Sequence, residues 1–129
     1  MDKSAIMRSF NIHFAEFMKD ISSILPENQD IKKGLNAFEV IKRLTPSLLI
    51  KSWYTNVYIP YTVEIDKGDI SFFYEKNYDD DINQLSNADE ITNIIDKLRL
   101  PIKTMKDINK QHTMKYIKNL CELSKLYKL

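Results

Sequence analysis

Two histidines, one cysteine and two glycines are all that this chain offers to the commonest catalytic designs. Histidine is the usual general base, so His13 and His112 come first. With the last segment read as one helix over 102–127, His112 falls among Met105, Ile108, Tyr116 and Leu123, at the centre of the apolar face. That place predicts a buried neutral imidazole with a hydrogen-bond partner. His13 borders a phenylalanine stripe and stands three residues before Glu16, the spacing of an ion pair on a helix surface.

Cys121 projects near the polar edge of the same last helix, nine residues from His112. Nine residues span about 13 Å of helix axis, too far for a thiolate–imidazole pair. No G-x-S-x-G elbow occurs, and two isolated glycines, Gly34 and Gly68, cannot build a phosphate-cradling loop. A single cysteine excludes an internal disulfide and a multi-thiol metal site, and fits a reducing compartment. Asp79, Asp80 and Asp81, with Asn77 and Asn83, supply the hard oxygen ligands that calcium or magnesium prefers. The glycine and closing glutamate of a calcium loop are missing, so these residues read as a solvated acidic loop. No catalytic residue, cofactor, metal or small-molecule substrate is expected.

The elements that would position other chemistry are helical. At 129 residues, with 43% hydrophobic and 29% charged side chains, the chain fits one domain with its own core. Few glycines and prolines leave little punctuation for strands. Ile6, Phe10, Phe14, Phe17, Ile21 and Ile24 recur at spacings of three and four, predicting a first helix over 4–25 that Pro26 stops. Asn28 or Asp30 can cap a second helix to about Leu44, with Ile31, Leu35, Phe38 and Ile41 on its stripe.

Thr45-Pro46 reads as an N-cap and first helical residue of a third helix to about Tyr58, with Trp53 in the core. A short helix over 61–67 would end at Gly68, and Asp69 would cap a following turn. The alternative for 61–75 is a hairpin, because the segment is rich in β-branched and aromatic residues. A helix over about 87–99 and a break at Pro101 precede the long last helix, whose apolar arc holds Met105, Ile108, Tyr116, Leu120, Leu123, Leu126 and Tyr127. The expected fold is all-α, a single compact bundle of six or seven helices over 1–129 with long first and last members.

Two surfaces emerge from this frame. Eight of the fourteen aromatic residues lie between Ser52 and Asp81. Tyr54 and Tyr58 fall at the edge of the Trp53 face, and Phe73 and Tyr74 lead into Asp79, Asp80 and Asp81. Together these seven residues form the expected protein-contact surface. Lys103, Lys106, Lys110, Lys118 and Lys125 fall opposite the apolar arc of the last helix, with Lys128 beyond them. Such a stripe can track phosphates, although it lacks interleaved aromatics for stacking.

Net charge is only +1, yet 64–90 carries nine acids against two lysines while 97–129 carries nine basic residues against two acids. Those regions can neutralise one another. No signal peptide or apolar run of membrane-spanning length is read, so the expected location is intracellular.

The strings FNIHFAEFMKDISSILPENQDI, LLIKSW, EIDKGDISFF and TMKYIKNL together resemble small uncharacterised proteins of large nucleocytoplasmic DNA viruses, the mimivirus-like and algal-virus groups. The resemblance implies a viral protein in the infected host cell or the virion, and brings no catalytic position. The function expected is a noncatalytic contact with a protein partner or a second copy, as a virion component or host-factor modulator. The alternative is nucleic-acid binding through the basic last helix. No membrane partner is expected.

Overall fold

The computed structural model describes residues 2–71 and 98–129. The helices among them are α1 (Lys3–Ile24), α2 (Gln29–Leu44), α3 (Leu48–Trp53), α4 (Thr62–Lys67), α5 (Arg99–Thr104) and α6 (Asp107–Lys128), with a π turn at Tyr54–Tyr58. No strand occurs among the described residues, and helix replaces the hairpin alternative at 62–67. Phe72, Phe73, Tyr74, Asp79, Asp80, Asp81 and the helix expected to begin at 86–89 lie outside the described residues.

α1 forms as its spacing predicts. The Asp2 carboxylate accepts the Ser4 N–H at 2.9 Å, satisfying one of the free donors at the helix start. Phe10, Phe14, Phe17 and Ile21 are wholly buried along one face. Phe14 is the hub of the core: its ring centroid lies 4.9 Å from Phe38, 5.9 Å from Trp53, 6.0 Å from Phe17 and 6.4 Å from Phe10. Each such pair adds about 0.5–1.5 kcal/mol beyond area burial.

Asn28 caps α2 by accepting the Ile31 N–H at 3.1 Å, while Lys42 and Arg43 sit in the last turn, where cations complement the carbonyl ends. Thr45 departs from its expected role. Its N–H donates to the Ile41 carbonyl at 2.7 Å, so it ends α2 instead of starting α3. Pro46 and Ser47 form a turn closed by Leu48 N–H to Thr45 O at 3.1 Å. The Asn11 Nδ2 of α1 braces that turn by donating to the Pro46 carbonyl at 3.0 Å.

The last helix departs from expectation in two ways. It is broken, because Met105 and Lys106 take extended backbone with ψ of 155° each, separating α5 from α6. Pro101, expected as a break, lies in the first turn of α5, where its missing N–H removes no intrahelical bond. Met105 is still buried and receives the Thr113 hydroxyl at its Sδ, 3.5 Å away, which ties the corner to α6.

α6 is also rotated from the expected phase. Its buried residues are Thr113, Met114, Ile117, Leu120, Cys121 and Ser124, whereas Ile108 is 71% and Leu126 39% exposed. α6 lies along α1 in the most extensive helix pairing of the described residues. Three small polar groups on the buried face, Thr113, Cys121 and Ser124, permit that approach, and each has a hydrogen-bond partner. The Ser124 hydroxyl, for example, donates to the Cys121 carbonyl at 2.8 Å.

Candidate functional site

The rotation of α6 decides what sits beneath and beside the tyrosines. α3 runs into the π turn through Trp53, whose indole is wholly buried between Phe10 and Phe14. Its Nε1–H donates to Cys121 Sγ at 3.3 Å, joining the π turn to α6. Pro60 shapes the end of this segment, since its ring would clash with the carbonyl four residues earlier in a continued α-helix. The chain answers with a widened turn, Ile59 N–H bonding to the Tyr54 carbonyl at 3.0 Å. The Thr62 hydroxyl then donates to the Tyr58 carbonyl at 2.7 Å, supplying the donor that an interrupted helix lacks.

Tyr54 and Tyr58 stand one turn apart on this segment, both half-buried, with ring centroids 5.5 Å apart. The Lys128 ammonium lies 5.5 Å over the Tyr54 ring. Ile59 and Val63, the next outward positions, are 56% and 59% exposed. Aromatic rings flanked by exposed aliphatics make a surface of the kind found at protein contacts. A cleft of about 180 Å³ opens between this segment and α6, lined by Tyr58, Ile65, Asp66, Lys118 and Glu122, with Cys121 at its floor.

The floor is a buried thiol. Burial pushes the Cys121 thiol from its ordinary 9.0 up to about 12; the indole hydrogen bond lowers it in part, and Glu122 and Asp66 raise it further. A thiol held protonated is neither nucleophile nor metal ligand near neutral pH. Its burial corrects the polar-edge position read from sequence.

His112 also requires correction. It is 51% exposed on its side chain, with Nε2 3.2 Å from Asp20 Oδ2 across the α1–α6 seam. Oδ2 accepts no aligned hydrogen bond, so the two groups approach closely without a formed bond. The imidazole meets Tyr116 edge-on at 5.4 Å, and the phenol of Tyr116 is pushed up by burial and by Asp20 and Glu16. His13 pairs with Glu16 at 3.7 Å on the α1 surface, as expected. Among the described residues, no group of three His, Cys, Asp or Glu side chains is placed to hold a metal ion. No helix of those residues is long and apolar enough to cross a membrane.

The lysines of the expected stripe have different surroundings. Lys103 is exposed on α5 and Lys106 is exposed within the extended break itself. Lys110 lines a second cleft of about 310 Å³ with Gly68, Asp69, Ser71 and Asp107. Lys118 lies against Gly68, the left-handed residue (φ 74°) that ends α4, its Nζ 3.5 Å from where a Cβ would stand. Lys110 and Lys118 therefore face α4, while Lys125 is exposed and Lys128 covers Tyr54.

Of the expected sites, the fold brings together Tyr54 and Tyr58 from the aromatic set and Lys118 from the basic set. Lys128 joins them, which sequence reasoning missed as a contact because it depends on the phase of α6. Ile59 and Val63 were missed as well, although the four-residue spacing between them was visible. No family model matches the chain, and no curated protein or solved structure matches it either.

Proposed function

We propose that the chain is a noncatalytic interaction protein whose contact surface is the π-turn face of Tyr58, Ile59 and Val63, bordered by Tyr54. The carrying observation is the exposure of Ile59 and Val63 beside two half-buried tyrosine rings. Buried in a contact, such aliphatics contribute about 25 cal/mol per Å² removed from water. The protonated, covered Cys121 and the solvent-facing His112 leave this face without a nucleophile–base pair.

A protein partner suits the face better than a small molecule, because its aliphatic side chains are exposed and its cleft is small and lined by Asp66, Lys118 and Glu122. The resemblance to small proteins of large nucleocytoplasmic DNA viruses would place that partner in the virion or among host factors. Light scattering and partner capture with Tyr58→Ala test the reading. A lowered mass or lost capture in a folded variant is expected; unchanged mass and unchanged capture would count against it.

A further inference from the structure

Beyond the contact face, a line of side chains crosses the end of the molecule where α1 begins and α6 finishes. The Lys3 ammonium lies 5.7 Å over the Tyr127 ring, Lys128 adjoins Tyr127 in the chain, and Lys128 in turn lies 5.5 Å over Tyr54. Tyr54 continues to Tyr58 at 5.5 Å. Three elements thus alternate cation and aromatic ring, with exposed Lys125 one turn before Lys128. Among the described residues no carboxylate pairs with Lys3, Lys125 or Lys128. The nearest acid in sequence to Lys3, Asp2, is turned to the Ser4 N–H.

From this alternation we infer that Lys3, Tyr127, Lys128, Tyr54 and Lys125 form a binding strip for single-stranded nucleic acid. The chemistry divides between the two residue types. Ammonium groups resting on ring faces within about 6 Å are held in place yet stay solvated, ready to meet phosphates. A base that displaces an ammonium from a tyrosine face stacks on the ring it uncovers, and the displaced cation moves to the adjoining phosphate. A duplex presents its bases already stacked and gains only the phosphate part. An acidic protein segment likewise gains the charge part without the stacking part. The aromatic members therefore favour single strands over both.

Fluorescence anisotropy of the full chain with labelled single-stranded DNA and RNA of about 20 nucleotides tests the inference over a salt series. Duplex DNA and labelled polyglutamate serve as the comparisons. Binding at low salt is expected, with the affinity of single strands above that of duplex and polyglutamate. The logarithm of the binding constant should fall linearly with the logarithm of salt concentration. Lys125→Gln with Lys128→Gln should flatten that slope by about 1.4, the value of two lost phosphate contacts. Tyr54→Ala with Tyr127→Ala should weaken binding by about tenfold or more and leave the slope in place, while the Phe versions retain affinity. Circular dichroism and unfolding midpoints identify any variant that has lost its fold, and the Phe and Gln variants keep the test decisive if an Ala variant has. No binding at low salt, indifference to all four substitutions, or equal affinity for duplex or polyglutamate would overturn the inference.

Discussion

α1 and α6 are both 22-residue helices that pack along one another, yet they bury different chemistry. α1 turns phenylalanine, isoleucine and methionine inward, with Asn11 bracing a turn at the edge. α6 turns in Thr113, Cys121 and Ser124 among Met114, Ile117 and Leu120, and leaves Ile108 in water. Both buried sets keep helical spacing; that of α1 is hydrophobic apart from Asn11, whereas half of that of α6 is Thr113, Cys121 and Ser124. Burial is thus periodic in both helices, but in α6 the buried face takes in small polar groups and leaves Ile108 outside it. The large rings of α1 fill space, and the small groups of α6 let it approach them, each hydroxyl or thiol finding a neighbour.

The sharpest way to break this comparison is Phe14→Ala, which removes four ring contacts at once. A loss of about 3–5 kcal/mol is expected in urea unfolding, more than any single truncation on α6. Cys121→Ala should cost less, about 1–3 kcal/mol, because it deletes one sulfur and with it the bond from the Trp53 N–H.

The same residue gives a pH test. Its folded pKa of about 12 stands above the ordinary 9.0, so folding favours the protonated thiol. That contribution is complete below pH 9 and is lost as pH rises toward 12, with a slope approaching about 1.4 kcal/mol per pH unit. Lysines and tyrosines titrate nearby, so the quantity to read is the difference between the parent chain and Cys121→Ala. The parent should lose stability faster above pH 9. Parallel curves would place the thiol in water.

Gly68→Ala is the next smaller effect, about 1 kcal/mol, arising from the positive φ because the added methyl meets only ordinary contact with Lys118. His112→Asn should change stability by no more than about 0.5 kcal/mol, since the imidazole is half-exposed and its pairing with Asp20 is poorly aligned. A cost of several kcal/mol would restore the buried histidine read from the apolar arc.

The same division separates the legible parts of the chain from the rest. α1, the Asn28 cap, Trp53 and the Gly68 terminus were readable in the sequence because each depends on local chemistry: ring spacing, a side-chain acceptor or a left-handed residue. The phase of α6 was not, because Ile108, Leu123 and Leu126 outweigh Thr113 and Ser124 on any hydrophobic scale. One rotation then misplaced His112 and Cys121 together. The break at Met105–Lys106 carries neither glycine nor proline, and the π turn shows itself only through the bond from Ile59 to Tyr54. Tyr54 and Tyr58 were readable as an edge pair from their spacing. Their partnership with Lys128 was not, since it joins the turn to the far end of the last helix.

The interaction claim is met most directly by comparing charge insertions on and off the proposed face. Ile59→Asp with Val63→Asp marks the proposed face, and Ile108→Asp marks an equally apolar, more exposed position outside it. All should stay folded, because each changes an exposed side chain. The measurement is the concentration dependence of molar mass by light scattering, together with capture of the partner that the parent chain retains. Loss of association in the Ile59/Val63 variant, with Ile108→Asp matching the parent, is the predicted result. Association surviving in the first variant, or lost equally in both, would contradict the π-turn face as the contact surface.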